Sequence, residues 1–350
     1  MQTKNWTRRA FGTFAVLAAL AACASPPMVQ TVQALTLSGA GATFPQPLYE
    51  KWFYEYNKKF PDIKINYQGI GSGGGINQIT KKTVDFGASD AAMNDEQLNA
   101  VGGTSKILML PMTAGAVAIT YNIPGVKSGV KITALTLTKI YLGEITKWND
   151  KAITSVNRGV TLPDLAIAVV RRSDSSGTSF IFTNHLAAIK SSNWKEKVGA
   201  GASVSWPTGI GAKGNQGVSA QVQQTPGAIG YVEYAYAAEN NLPVAAIENR
   251  EGKFVLPSVA SVVAALDGTK YPDNFRVFIE DPDGKESYPI IGLTWLLVYR
   301  DNADDKKGAE IGKFVKWALT EGQQYVAPLK YTPLPDPLAK RVLKAAEAIK

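Results

Sequence analysis

A β-strand that ends in a polar turn and continues toward a helix recurs along this chain. The strand at 35–37 precedes a helix at 46–59, the strand at 63–67 precedes a glycine-rich turn and a second helix, and the strand at 84–88 ends in Ser89-Asp90. Alternating strands and helices build parallel sheets whose ligands lie at the carboxyl ends of the strands. The pattern therefore predicts an α/β fold with a binding site made from these turns.

The fullest example lies in the middle of the chain. An apolar strand, 165–170, ends in Arg171 and Arg172, and a Ser/Gly/Thr turn then leads into a helix that reaches Ile189. The first turn of a helix leaves backbone N–H groups free for an anion. An arginine at the strand end adds a planar fork of donors that matches an oxyanion. This stretch predicts a site for a small tetrahedral anion.

The N-terminus carries the pattern of an export signal. Basic residues precede a short apolar run, 10–22, and small residues lead to Cys23, which predicts a signal peptide over 1–22. The run is too short to span a membrane as a helix. Residues 23–34 include two prolines and a serine and are predicted to form a tether.

Cys23 is the only cysteine of the chain, so no intramolecular disulfide is possible. Leu-Ala-Ala-Cys resembles the bacterial lipoprotein signal box, and this resemblance implies that Cys23 is lipidated and becomes the N-terminus. The segment 7–11 also resembles a twin-arginine signal, so the general secretory and twin-arginine routes both stay open.

The remaining organisation follows from apolar runs and glycines. Two apolar runs within 106–121, broken at 111–115, predict a crossover from a first lobe to a second. A glycine-rich loop is predicted over 199–217 and a strand over 290–299. Two helices, 306–319 and 337–349, are predicted to close the chain.

Charge and composition exclude some functions. The net charge is +8, but the basic residues are scattered without an aromatic-basic stripe, which disfavours nucleic-acid binding.

Gly69, Gly71 and Gly74 match the dinucleotide-binding pattern, so a nicotinamide enzyme is an alternative. A second match at 209–214 lacks an obvious preceding strand, which shows how little such a match means.

Catalytic groups are scarce. His185 is the only histidine and is predicted to lie in mid-helix, and no G-x-S-x-G elbow surrounds the candidate serines. One histidine and one lipid-bound cysteine make a zinc site poor chemistry. We therefore expect a binding protein that is not an enzyme and has no metal or cofactor. An exported phosphoester hydrolase is the contrasting alternative.

Each candidate site residue also has a purely structural interpretation. Threonine, serine and aspartate commonly cap helices, which is the structural interpretation of Thr43, Ser72, Ser176 and Asp90. Arg172 is also able to form a surface ion pair with Asp174, which would contribute little. Several hydroxyl-bearing helix starts at strand ends, together with an arginine, nevertheless favour an oxyanion site.

Six segments of the chain resemble one known family, the phosphate-binding proteins of bacterial high-affinity phosphate ABC transporters. They are 39–45, 67–74, 84–90, 140–143, 169–180 and 226–232. The resemblance implies a two-lobed "Venus flytrap" fold of the periplasmic-binding-protein type, with phosphate in the cleft between the lobes. We assign 35–115 and 290–350 to lobe I, and 116–289 to lobe II.

The resemblance also implies a set of phosphate ligands. In this numbering they are Thr43, the Phe44 backbone N–H, Ser72, Asp90, Arg172, Ser176, Gly177 and Thr178, with Asp174 orienting Arg172. Asp90 would accept the proton of phosphate and thereby disfavour sulfate, which has none to offer. A site built to hydrogen-bond one group can discriminate by about 10⁴–10⁵ against an analogue that lacks it.

The function implied is extracytoplasmic binding of inorganic phosphate and its delivery to the transmembrane permease subunits of an ABC transporter. The protein is expected to be a monomer at the periplasmic or cell-surface face of the membrane, held by the lipid on Cys23. A receptor for sulfate or molybdate is the closer alternative.

Overall fold

A computed structural model describes residues 34–350. The predicted signal peptide, 1–22, the predicted lipidation site Cys23 and all of the predicted tether except Ala34 lie outside the described residues. Within 34–350, no helix combines the length and the apolar character needed to cross a membrane.

Strands and helices alternate along most of the chain, as the sequence pattern predicts. The strands are β1 (Leu35–Gly41), β2 (Ile63–Gly69), β3 (Phe86–Ser89), β4 (Ile107–Tyr121), β5 (Lys131–Ile132), β6 (Ala168–Arg172), β7 (Ile210–Ala212), β8 (Ala228–Glu233), β9 (Ala246–Glu248), β10 (Phe254–Val255) and β11 (Ile291–Tyr299).

The helices vary from one turn to four. They are α1 (Gln46–Lys59), α2 (Ser72–Thr80), α3 (Asp95–Ala100), α4 (Ala134–Tyr141), α5 (Lys151–Thr154), α6 (Gly177–Ala188), α7 (Trp194–Lys197), α8 (Gly214–Gln224), α9 (Tyr234–Glu239), α10 (Val259–Leu266), α11 (Asp305–Ala318) and α12 (Asp336–Ala346). Short 3₁₀ turns occupy Lys190–Ser192 and Glu321–Tyr325.

The described strands form two sheets. The larger has the order β2-β1-β3-β11-β4-β8-β6-β7, and the smaller has the order β10-β9-β5. In the larger sheet, β1 is parallel to β2 and β3, and β6 is parallel to β7 and β8. The antiparallel strands β11 and β4 lie between these two parallel groups. The carboxyl ends of two parallel groups are thus available to build a site.

Strand β4 joins the two groups. Its 15 residues are all buried. It pairs with β11 as far as Ala116, which lies opposite Ile291, and from Val117, opposite Glu233, it pairs with β8. One continuous strand therefore changes partner at its middle and connects the two halves of the sheet.

The predicted break at 111–115 is wrong, because β4 runs through it. Pro111 is accommodated at an irregularity, where Trp295 of β11 faces Pro111 and Thr294 faces Thr113, so Met112 is left without a direct partner. Proline is tolerated in a strand at such a bulge because it has no ladder hydrogen bond to lose there.

The predicted loop over 199–217 is wrong at its C-terminal end. Three of its residues form β7, and α8 begins at Gly214. The strand is too short and too exposed to show an alternating pattern, which explains why glycine content alone suggested a loop.

Aromatic packing fixes α1 and the turn that precedes it. Tyr56 donates a hydrogen bond to Glu310 Oε1 (2.6 Å), and the Trp52 indole donates to the Gly322 carbonyl (2.8 Å). The Tyr56 ring lies 5.3 Å from the ring of Phe314 in an edge-to-face arrangement. Each such aromatic pair contributes about 0.5–1.5 kcal/mol beyond simple burial. The predicted helix at 46–59 is confirmed, and the turn before it is held by the hydrogen bond that Tyr331 donates to the Phe44 carbonyl (2.6 Å).

Candidate anion-binding site

The polar turns that the sequence singled out meet at one place, between the two halves of the larger sheet. Strands β1, β3 and β6 end there, and helices α2, α6 and α8 begin there. The polar side chains buried at this place are those of Thr43, Ser72, Asp90, Arg172, Ser176, Thr178, Asn215 and Thr294. Burying so many polar groups is unfavourable unless they are paired, so their partners define what the site can do.

The positive charge of the site comes from Arg172 at the end of β6. Its guanidinium pairs bidentately with Asp174, with Nε–Oδ1 at 2.7 Å and Nη2–Oδ2 at 2.5 Å. The Arg172 side chain is only 1% exposed, so this is a buried pair and not a surface one. The remaining terminal nitrogen, Nη1, lies 3.4 Å from Thr178 Oγ1. The pair therefore fixes the guanidinium plane and leaves Nη1 turned into the site.

The ionisation of Asp174 agrees with this pairing. Burial by itself would raise the pKa of Asp174, but the hydrogen bond and the charge of Arg172 hold this pKa below its ordinary value. The backbone N–H of Gly214 also donates to Oδ1 (3.1 Å). The neighbouring Arg171 instead donates from Nη1 to the Arg172 carbonyl (3.3 Å) and takes no part in this cluster.

Ser72 links the two halves of the sheet. Its Oγ accepts from the backbone N–H of Asp90 (3.1 Å) and from the backbone N–H of Gly177 (3.0 Å). It also lies 3.4 Å from Asp90 Oδ2, toward which its own proton is directed. Ser72 is the first residue of α2, and the N-cap is Gly71, so Ser72 does not cap its helix.

Asp90 is the acceptor of the site. Its Oδ1 accepts a hydrogen bond from the Thr294 hydroxyl (2.8 Å), and its side chain is fully buried. Burial raises the pKa of Asp90 from 3.8 to about 7, although the Thr294 and Ser72 hydroxyls and the charge of Arg172 all act to lower this pKa. The carboxyl of Asp90 thus titrates near neutral pH. It is not an N-cap either, because Asn94 caps α3.

Thr43, in the turn after β1, faces α8. Its Oγ1 accepts from both the backbone N–H (3.1 Å) and the side-chain Nδ2 (2.9 Å) of Asn215. The same Nδ2 donates to Thr178 Oγ1 (3.2 Å). Thr43 does not cap α1, whose N-cap is Pro45.

Backbone donors complete the set. The N–H groups of Phe44, Ser72 and Thr178 have no acceptor within residues 34–350. The Ser176 side chain does cap α6, since its Oγ accepts from the Ser179 N–H (3.0 Å). Ser176 is therefore a helix cap, as its structural interpretation predicts. Its O–H proton has no acceptor within the described residues and stays free to donate.

Direct contacts cross the space between the two halves. Tyr236 donates to the Thr43 carbonyl (2.6 Å), and the Gly73 N–H donates to the Ser175 carbonyl (3.1 Å). A Cβ on Gly177 would lie 2.4 Å from Ser72 Oγ and 2.5 Å from Asp90 Cβ. Glycine is therefore required at 177 because the first turn of α6 approaches the opposite half this closely.

The sequence did not identify two participants. Asn215 lies at the start of α8, and recognising β7 would have placed it at another strand–turn–helix junction. Thr294 lies inside β11, where no local pattern distinguishes it from any other buried threonine.

The buried side chains of His185 and Glu233 do not belong to this set. His185 is 2% exposed, and burial lowers its pKa to about 4, so the ring is neutral at physiological pH. Glu233, at the end of β8, accepts from the Ala235 N–H (2.7 Å), and burial raises its pKa well above the ordinary value. Across residues 34–350, His, Cys, Asp and Glu side chains form no group of three that could hold a metal ion.

Comparison with known proteins gives consistent matches. The family model of the PBP superfamily domain matches residues 26–321. The chain is 42% identical over 315 residues to "Phosphate-binding protein PstS" of Pasteurella multocida, covering 89% of this chain and 90% of that protein. It is 40% identical over 321 residues to the protein of the same name from Xylella fastidiosa, covering 91% and 86%.

Solved structures share the fold. A high-affinity periplasmic phosphate-binding protein, PfluDING, bound with phosphate, matches with a TM-score of 0.73 at 22% identity, covering 88% of this chain and 93% of that one. A phosphate-binding protein from Stenotrophomonas maltophilia matches with a TM-score of 0.70 at 20% identity, covering 89% and 93%. These likenesses confirm the predicted two-lobed α/β fold of periplasmic binding proteins.

Proposed function

This chain belongs to the PstS family of phosphate-binding proteins, within the PBP superfamily, and we propose that it binds inorganic phosphate in the cleft between its two lobes. The observation that carries the proposal is the composition of the buried cluster. Donors converge from both halves of the sheet, and a single carboxyl, that of Asp90, has an oxygen turned toward the hydroxyl of Ser72.

This composition fits a buried phosphate. An anion removed from water is destabilised unless nearly all of its oxygens receive hydrogen bonds. Arg172, the hydroxyls of Thr43 and Thr178, and the free backbone N–H groups of Phe44, Ser72 and Thr178 are able to supply them. Asp90 then takes the remaining contact, which suits an anion that carries a proton of its own. Charge-assisted hydrogen bonds of this kind are roughly twice as strong as neutral ones.

We place the lobe boundaries where the chain crosses between the two halves. Lobe I comprises 35–115 and 290–350, and lobe II comprises 116–289. The change of partner in β4 between Ala116 and Val117 supports the first boundary, and the pairing of Ile291 with Ala116 supports the second. Hinge closure at these two crossings would bring both lobes onto one anion.

The role in transport follows from the family. The protein is proposed to bind phosphate outside the cytoplasm and to deliver it to the permease subunits of an ABC transporter, without catalysing a reaction. Export by the segment 1–22, lipidation at Cys23 and a monomeric state are parts of the same proposal. The apolar run before Cys23 supports the first two.

Isothermal titration calorimetry of the domain 34–350, freed of bound anion by unfolding and refolding, tests the binding proposal. Phosphate is expected to bind far more tightly than sulfate or molybdate. Tighter binding of sulfate or molybdate would overturn the proposal in favour of another oxyanion receptor. Release of phosphate from a phosphomonoester by the same preparation would instead establish the hydrolase alternative.

A further inference from the structure

The hydroxyl of Thr43 has no lone pair left for a ligand. A threonine hydroxyl donates one hydrogen bond and accepts two. Thr43 Oγ1 already accepts two, from the backbone N–H and the Nδ2 of Asn215. Its proton is therefore the one part of this group that remains available, and it can only be given to an acceptor.

The hydroxyl of Thr178 is in the same state. Its Oγ1 accepts from Arg172 Nη1 (3.4 Å) and from Asn215 Nδ2 (3.2 Å). The two protons of the Asn215 amide thus go to two different hydroxyls, one from each half of the sheet. A single side chain therefore occupies one acceptor site on each of these two hydroxyls.

The orientation of the Asn215 amide is itself determined. Its Oδ1 accepts from the backbone N–H of Glu233 (2.9 Å), a group that can only donate. A flipped amide would set two donors against each other, so the NH₂ group must face Thr43 and Thr178. Asn215 is fully buried, so bulk water does not compete for these contacts.

We infer that Asn215 is a positioning residue for the bound anion: by filling both acceptor sites of the Thr43 hydroxyl and, together with Arg172, those of the Thr178 hydroxyl, it makes both hydroxyls donors only. This inference rests on the proposed function, since it concerns how the same cleft recognises its ligand. Ser72 provides an internal comparison, because its acceptor sites are filled by the Asp90 and Gly177 N–H groups without Asn215.

The test is a double-mutant cycle measured as phosphate affinity by titration calorimetry. Asn215→Leu should weaken phosphate binding by about 100-fold, because one hydrogen bond to a charged group corresponds to roughly 10–100-fold. In a Thr178→Val background, the loss of phosphate affinity caused by Asn215→Leu should be at least about tenfold smaller, since substitutions of residues in contact are not additive. In a Ser72→Ala background, Asn215→Leu should cause the same loss of affinity as in the wild type, within about twofold.

Equal costs in both backgrounds would overturn the inference, because a general structural defect would not distinguish Thr178 from Ser72. Asn215→Asp keeps the shape and the contact with Glu233 but replaces the NH₂ donor by an acceptor. It should therefore also weaken binding, while Gln216→Glu, which adds the same charge at the next, exposed position, should not. Phosphate binding by Asn215→Asp as tight as that of the wild type would refute the inference even if the leucine variant failed to fold.

The two proposals fail differently. A wild-type domain that binds sulfate and not phosphate would refute the proposed function alone. The same affinity ratios would then be measured with sulfate, and they would still decide whether Asn215 acts through the two threonines.

Discussion

Replacing Asp90 by asparagine puts an NH₂ donor where the wild-type cleft presents a carboxylate acceptor to the anion. Thr294 donates to Oδ1 at 2.8 Å, so the amide oxygen of the variant should take that position and its NH₂ group should take the place of Oδ2 beside Ser72. In the wild type, a bound anion needs a proton on its contact with Asp90. Phosphate can bring that proton near neutral pH, whereas sulfate requires that Asp90 be protonated.

The size of the effect follows from the pKa of Asp90, which burial raises to about 7. With that pKa, the protonated fraction of Asp90 falls from about nine-tenths at about pH 6 to about one-tenth at about pH 8. Sulfate affinity of the wild type should therefore fall about tenfold over this interval, and phosphate affinity should change much less. In Asp90→Asn, sulfate binding should lose this pH dependence and should be tighter than in the wild type at the higher pH.

Titration calorimetry with phosphate and with sulfate, at both pH values and on both proteins, measures these four affinities. Thermal unfolding of each ligand-free protein provides the control for folding. If the wild type and Asp90→Asn show the same sulfate affinity and the same pH dependence, Asp90 does not act as the acceptor, and the argument about selectivity fails.

Three other substitutions test separate parts of the structure. Arg172→Ala should weaken phosphate binding by about 100-fold or more, whereas Arg171→Ala should change it less than about threefold, because only Arg172 donates a charge-assisted hydrogen bond to the anion. Equal losses of affinity in calorimetry would contradict this assignment. Gly177→Ala should abolish tight phosphate binding, since its Cβ would lie 2.4 Å from a side-chain oxygen of the opposite half. The control Gly217→Ala, whose Cβ would lie 3.6 Å from the nearest atom, should bind phosphate normally, and tight binding by Gly177→Ala would be evidence against the close approach. Glu233→Gln should flatten the pH dependence of the free energy of unfolding. Because burial raises the pKa of the Glu233 carboxyl, its stabilising effect is present below its ordinary pKa and is lost as pH rises toward the folded-state value. Urea unfolding of both proteins across that range measures this effect, and the same pH dependence in both would contradict it.

The sequence predicted the site residues because each follows a local rule. Polar residues directly after apolar strands placed Thr43, Ser72, Asp90 and Arg172 at strand ends, and parallel strands bring such ends together. The structure brings all four into one cluster, while their roles as phosphate ligands remain predictions for the experiments above. Two local predictions were wrong: β4 passes through Pro111 at a bulge, and the loop predicted over 199–217 contains β7 and the start of α8.

What the sequence determined by itself is the order of strands, turns and helices, because the repeat of apolar residues and the chemistry of the turns act over a few neighbouring positions. What only the tertiary structure decided is which protons and lone pairs remain available. Thr43 and Asn215 are 172 positions apart, and Asp90 and Thr294 are 204 apart, yet these contacts determine which hydroxyls donate and which carboxyl oxygen is occupied. Burial, which raises the pKa of Asp90 to about 7, likewise depends on the whole fold, because desolvation is produced by every element packed around the carboxyl.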